Sequence, residues 1–300
     1  MSEKAIELSH VILYVNKNVP KSDVSSFCTK IRSEDPDIGF TYLCYDNQTP
    51  GFLSDGLLNL LTLENDNRDS LFIITDSADA MDAVSDRGMG CAALLTSDNR
   101  DCDFSRVLYC IEDIGYMPLY RIRRMWQRYH GIPWTISRTD RLVIREQVMD
   151  DLDGLYEIYD DPDAVRYVEA LFEDRRKEED YLRKYIDNQY RFYEYGQWAL
   201  TLKDSGELIG RAGISVREGY DLPELGYIIG KRYRRCGYAA EALEAIMGYA
   251  EKELDIHEFM AFTDGTNIPS VRLLRKLGFS RTGQDMIMGR PHDTYILTKP

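Results

Sequence analysis

The feature that constrains this chain most is a series of short, nearly unbroken apolar runs in its first third. They are His10–Val15 (HVILYV), Phe40–Tyr45 (FTYLCY), Leu71–Thr75 (LFIIT), Cys91–Leu95 (CAALL) and Val107–Ile111 (VLYCI). Runs of this length without polar alternation suit strands buried on both faces, the condition of a parallel sheet covered by helices. Between them, Lys21–Arg32, begun by Ser22 or Asp23, Gly51–Leu63 and Ser77–Asp86 have helical spacing, and Gly88 supplies a stop after the last. A Rossmann-like α/β domain with a parallel sheet follows from this alternation.

The rhythm changes after a basic aromatic helix, Leu119–Tyr129 (LYRIRRMWQRY), which is expected to pack between domains rather than to meet a phosphorylated ligand. Gly131-Ile132-Pro133-Trp134 interrupts it, and two domains, residues 1–136 and 137–300, are expected. In the second, strands are expected at Leu142–Val148, Gln197–Lys203, Leu208–Val216, Leu225–Ile229, Glu258–Thr263, Ser280–Met288 and Tyr295–Thr298. Helices are expected at Asp151–Tyr159, Glu178–Phe192, Gly237–Leu254 and Pro269–Leu277, and Asp204-Ser205-Gly206 reads as a hairpin turn.

Composition narrows the function classes. With 44% hydrophobic and 29% charged residues the chain has material for a core and no apolar run of membrane-spanning length. The N-terminus lacks the features of a signal peptide, so a cytoplasmic location is expected. A net charge of −14 repels nucleic acid and anionic membranes, so neither is an expected partner. The six cysteines form no C-x-x-C pair and the four histidines are scattered, so no metal site is expected and a reducing compartment fits best.

Three segments carry chemistry together. Glu224-Leu225-Gly226-Tyr227-Ile228-Ile229-Gly230 is an apolar strand ending at a glycine. Arg234-Arg235-Cys236-Gly237-Tyr238-Ala239 follows and leads into a long helix. Asn267-Ile268-Pro269-Ser270 opens the last helix, which closes on Leu277-Gly278-Phe279. The middle segment delivers backbone N–H groups to a helix N-terminus, where the partial positive charge suits a diphosphate. Gly237 permits close approach, Ala239 keeps the first turn uncrowded, and Arg234 and Arg235 add charge. Asn267 with Ser270 also reads as a helix cap, and Leu277-Gly278-Phe279 as a helix stop with core packing.

As a set, with Thr139–Arg145 and Glu207–Gly210, these segments resemble the GNAT acetyltransferase superfamily over roughly residues 138–300, and within it the ribosomal-protein-alanine acetyltransferase-like branch. The resemblance implies an acyltransferase that moves acetyl from acetyl-CoA to an amine-bearing acceptor, a small molecule or a peptide N-terminus, by direct attack in a ternary complex. It places the pantetheine arm along Tyr227, Ile228 and Ile229, the pyrophosphate on the amides of Arg234, Arg235, Cys236, Gly237, Tyr238 and Ala239, and Asn267 and Ser270 on the far side of the arm. No covalent nucleophile is needed, so Cys236 is not expected to be one. The sequence departs from the family's acid and base: the tyrosine position seven residues after the asparagine is Leu274, and the strand position of a glutamate base is Phe262. Glu224 is the preferred base, with Asp264 next. The departures keep a second reading open, a module that holds acetyl-CoA as a signal. Acceptor loops are expected at Tyr167–Arg176 and Gly219–Pro223, and a homodimer is compatible with the reading.

In the front domain, Leu71–Asp79 followed by Arg87-Gly88-Met89-Gly90 resembles the later half of haloacid dehalogenase-like hydrolases. That family needs an aspartate nucleophile after its first strand. Here the stretch is Tyr14-Val15-Asn16-Lys17-Asn18, and without a carboxylate there is no aspartyl-phosphate. The resemblance therefore implies a degenerate fold, serving acceptor binding, oligomerisation or regulation, with a phosphatase as the alternative. Asp76 and Ser77 read as a helix N-cap.

Overall fold

The computed structural model of the chain describes residues 6–46, 55–62, 68–287 and 289–298. They divide into two compact units, Met1–Ile132 and Pro133–Pro300.

In the first unit β1 (His10–Asn16), β2 (Gly39–Tyr45), β3 (Leu71–Thr75), β4 (Gly90–Leu94) and β5 (Cys110–Ile111) form one sheet in the order β2-β1-β3-β4-β5, with every pairing parallel. The helices are α1 (Lys21–Glu34), α2 (Asp55–Leu61), α3 (Ala78–Ser85) and α4 (Leu119–Tyr129). Strand β1 shows why its residues are apolar without alternation. Val11, Leu13 and Val15 pack with Phe27 and Ile31 of α1 and with Ile122 and Trp126 of α4. Ile12 and Tyr14 pack on the other face with Leu57 of α2 and with Ala80 and Val84 of α3. The sheet is thus covered on both sides, and α4 spends its apolar stripe on this unit's own core.

Local starts and stops differ in detail from expectation. Helix α1 begins at Lys21 with Pro20 at the cap position, so Ser22 and Asp23 lie inside the first turn. Ser77 caps α3 by accepting from the Ala80 amide, whereas Asp76 faces away from that role. The fifth strand contracts to Cys110–Ile111 because Val107 turns back to the Phe104 carbonyl. The ends of the helix expected at Gly51–Leu63 lie outside the described residues, as does Met288.

The second unit carries an eight-stranded sheet, β12-β13-β11-β10-β9-β8-β7-β6. Its strands are β6 (Thr135–Arg138), β7 (Leu142–Arg145), β8 (Gln197–Leu202), β9 (Leu208–Ser215), β10 (Glu224–Ile229), β11 (Glu258–Thr263), β12 (Ser280–Ile287) and β13 (Arg290–Thr298). All pairs are antiparallel except β10 with β11. The hairpin from β8 to β9 turns through Gly206 at φ 73°, a left-handed value that favours glycine. Helices α5 (Leu152–Tyr159), α6 (Pro162–Val165), α7 (Arg175–Lys184), α8 (Tyr190–Tyr193), α9 (Tyr238–Leu254) and α10 (Ile268–Lys276) complete the unit. Leu243, Ile246 and Met247 of α9 pack with Leu225 and Ile229 of β10 in the main core. Ile228, between them in sequence, packs with Ile158 and Tyr159 of α5 instead. Strand β10 is therefore pinned on both faces, which fixes the position of its backbone. Among the described residues no helix is long and apolar enough to cross a membrane.

Candidate functional site

Strands β10 and β11 are sheet neighbours, yet their register holds a single pair, Glu224 with Met260, where the Met260 amide donates to the Pro223 carbonyl at 2.9 Å. Beyond that point the strands part. The opening is a cavity of about 760 Å³ lined by both strands and by the first turns of α9 and α10. Parting exposes a strand edge at Leu225–Ile229 while β9 holds the other edge in register through Ile229.

At the far end of β10 the chain makes a short helical turn, Lys231–Tyr233, and then a loop into α9. Arg235 (φ 64°) and Gly237 (φ 86°) are both left-handed. The two reversals curl the loop so that the amides of Arg235 through Ala240 find no acceptor among the described residues, and Gly237 at the cap brings no side chain to satisfy them. A run of unpaired amides at the positive end of a 17-residue helix is an anion site in its chemistry.

The loop is braced from outside. Arg141 donates to the Cys236 carbonyl at 2.9 Å and to Glu241 at 2.7 Å, and its guanidinium lies 4.3 Å from the centre of the Tyr238 ring. Burial opposes the Glu241 charge, but the Thr139 hydroxyl and the Arg141 amide and guanidinium outweigh it and hold the carboxyl below the usual carboxylate range. Arg234 is engaged as well: it donates to the Ile229 carbonyl at 3.0 Å and pairs with buried Asp161 at 2.6 Å. Its charge shapes the loop from within, whereas Arg235 is exposed and Cys236 sits exposed beside it.

On the opposite wall, Asn267 caps α10 by accepting from the Ser270 amide at 3.3 Å. The Ser270 hydroxyl meets the Tyr227 phenol at 2.8 Å, a link from α10 to β10 across the cavity. Burial pushes the Tyr227 phenol up, against a smaller opposing pull from Ser270. Leu274 is buried in the main core and Phe262 lies 5.0 Å from the Tyr220 ring, so neither position offers a proton-transfer group.

Glu224 stands where the strands begin to part, and Arg217 donates to its Oε2 at 2.6 Å. Asp264 is committed elsewhere: its Oδ1 accepts from both the Thr266 hydroxyl and amide at 2.7 Å, which hold its carboxyl below the usual range. The structure thus gathers Glu224, Tyr227, Ile228, Ile229, Arg234, Arg235, Gly237, Tyr238, Ala239, Asn267 and Ser270 around one cavity. Arg141, Asp161 and Arg217 are among the residues sequence reasoning did not single out. Among the described residues no group of His, Cys, Asp and Glu is arranged to hold a metal ion.

The first unit has a separate crevice of about 360 Å³ at the carboxyl ends of β1, β3 and β4. Asp76 there accepts from the Asn16 amide at 3.0 Å and from the Tyr45 hydroxyl at 3.0 Å, and burial is the main force on its carboxyl, pushing it up.

Comparison with known proteins bears on the second unit. A family model described as an acetyltransferase (GNAT) domain matches residues 141–280. An uncharacterised N-acetyltransferase of Bacillus subtilis, YnaD, is 33% identical over 146 residues, which are 48% of this chain and 82% of that protein. The uncharacterised N-acetyltransferase p20 of Bacillus licheniformis is 25% identical over 166 residues, 53% of this chain and 93% of that protein. The [ribosomal protein uS5]-alanine N-acetyltransferase of Escherichia coli is 38% identical over 105 residues, 32% of this chain and 54% of that enzyme.

Proposed function

The chain belongs to the GNAT acetyltransferase family and is an N-acetyltransferase, and from that premise we propose that the opening between β10 and β11 takes acetyl-CoA. The diphosphate lies on the amides of Arg235 through Ala240, and the pantetheine arm pairs with the freed edge of β10 at Tyr227, Ile228 and Ile229. Asn267 and Ser270 border the arm on its other side. The observation that carries this reading is the continuity of a curled run of unpaired amides with a strand edge left open by a parted sheet. The first recognises an anion and the second an amide-bearing chain.

Acetyl-CoA supplies the acyl group as a thioester. The residues of this chain hold it, exclude water and receive a proton. An amine acceptor loses a proton as it attacks, and Glu224, at the mouth of the opening, takes that proton directly or through water. Arg217 fixes one carboxylate oxygen and leaves the other to accept. A main-chain amide near Ile229 steadies the charge that grows on the carbonyl oxygen. The acceptor is an amine borne by a small molecule or by a peptide N-terminus. Isothermal titration with acetyl-CoA tests the reading: saturable heat at one site is the expected result, and none under conditions where the chain is folded overturns it.

The first unit reads as a degenerate, Rossmann-like relative of haloacid dehalogenase-like hydrolases. Its strand order, 2-1-3-4-5, is a doubly wound one, with the crevice at the switch between β1 and β3. Its buried carboxylate Asp76 is spent on the Asn16 amide and the Tyr45 hydroxyl. The place of a nucleophile holds Asn16 and Asn18, so no phosphoryl transfer is assigned to it.

A further inference from the structure

A second cavity, of about 790 Å³, adjoins the acetyl-CoA opening and shares Glu169, Arg217, Glu224 and Ile287 with it. Its volume is that of a small-ligand pocket. The two cavities differ in charge. The opening between the strands has five cations along its walls, Arg235 and Lys276 among them, against three carboxylates, and its Arg234 is paired with Asp161. The adjoining cavity has one cation, Arg217, and three carboxylates, Glu169, Glu218 and Glu224. Arg217 is paired with Glu224 and is also within electrostatic reach of Glu169, so the three carboxylates outnumber the one cation by two, with Glu169 and Glu218 exposed. The same walls bear four tyrosines, of which Tyr181 and Tyr193 are about half exposed, at 48% and 56%.

Aromatic faces with an excess of carboxylates make a wall that attracts an ammonium group and packs against methylenes. An amino acid or other carboxylate-bearing amine meets like charge there. We propose that the adjoining cavity is the acceptor site and that its acceptor is a small aliphatic amine with a second positive charge, a di- or polyamine. One nitrogen is presented near Glu224, and the distal ammonium lies among the tyrosine rings beside Glu169 and Glu218. This rests on acetyl-CoA occupying the opening between β10 and β11. In the transfer the near nitrogen, as free amine, bonds to the acetyl carbon and the carbon–sulfur bond breaks. The nitrogen gives up one proton and the departing coenzyme A thiolate gains one, so the products are an N-acetylamine and the free thiol.

The test compares three acceptors of like length on the full chain: 1,4-diaminobutane, n-butylamine and 4-aminobutyrate, whose distal ends are positive, neutral and negative. Thiol release is followed with each, and acetyl-CoA binding is measured by calorimetry on the same preparation. The expected kcat/KM falls in that order, by about tenfold at each step, as one or two exposed charge contacts together with a ring contact produce. In a Glu169→Gln/Glu218→Gln variant the ratio of diamine to monoamine falls about tenfold. Equal turnover of the three, a ratio unmoved in the variant, or turnover confined to a peptide N-terminus overturns the assignment. Absence of acetyl-CoA binding in the calorimeter instead overturns the cosubstrate reading beneath it.

Discussion

At Gly237 the backbone stands at φ 86° and the space beside it opens on the unpaired amides, with the nearest side-chain atom, from Arg141, 3.4 Å from where a β-carbon would lie. Gly237→Asp adds about 1–2 kcal/mol of left-handed strain and sets a carboxylate against the diphosphate. Affinity for acetyl-CoA is expected to drop about a hundredfold, some 2.7 kcal/mol; a thermal melt verifies that the variant is folded, and an unchanged dissociation constant would remove the loop from the site. Glu224→Gln keeps the shape and loses the proton acceptor. Acetyl-CoA binding is expected to persist while kcat falls by about 10²–10⁴; an unchanged kcat would leave Glu224 only the task of holding Arg217. The glycine's role is legible in the sequence because a strand, a glycine and a long helix stand in direct succession. The partners of the arginines are not legible, since Arg141 reaches Cys236 and Glu241 across about a hundred residues. Arg234, expected to add charge for phosphates, is drawn to Asp161 by a contact that no local pattern announces.

Elements place these residues, and two of them make measurable claims. The loop before α9 is held from outside by Arg141, a half-exposed side chain whose pairing with Glu241 is worth little alone, but whose bond to the Cys236 carbonyl fixes the curl. Arg141→Ala is expected to cost about 1 kcal/mol, a fall of about 2–4 °C in Tm, and to weaken acetyl-CoA binding about tenfold by loosening the amides. A melt and a titration together distinguish this from a purely structural loss. The turn between β11 and α10 depends on Asp264, whose carboxyl Thr266 holds below its ordinary value. Its contribution to stability is full above the unfolded value of about 3.9 and fades as pH falls through the lower folded one. Asp264→Asn should therefore be less stable than the parent at neutral pH, with the difference closing in strong acid, and its activity should keep the parent's pH profile.

Continuous apolar runs made β1, β3, β4 and β11 legible; β2, expected to be buried on both faces, is the edge strand of its sheet and has no buried residue. Strand β6 went unread because only Ile136 of its four residues is buried. The helix expected to run unbroken over Glu178–Phe192 instead ends at Lys184, passes through a wider turn at Tyr185–Gln189 and resumes at Tyr190. Residues five apart on an α-helix point about 140° away from each other. The wider turn lets Tyr185 and Tyr190 face the same way, their rings 5.4 Å apart, where Tyr185 accepts from the Gln197 amide and Tyr190 donates to the Gln197 carbonyl. That demand comes from β8 and is invisible in the helix's own periodicity.

On the scale of the whole molecule, the hydrophobic clusters divide without sharing. Those built on β1 to β5 draw on residues up to Ile132, and those built on β6 to β13 draw on Trp134 onward. A core that closes within one stretch of chain is the condition for independent folding. Every residue around the two cavities of the second unit lies between Asp163 and His292, and the braces of the loop, Thr139, Arg141 and Asp161, lie just before them. A fragment of residues 133–300 is accordingly expected to fold and to bind acetyl-CoA within about threefold of the full chain, a difference of about 0.65 kcal/mol. Calorimetry on the fragment decides it. A folded fragment with affinity lost would mean that residues before 133 are needed for binding.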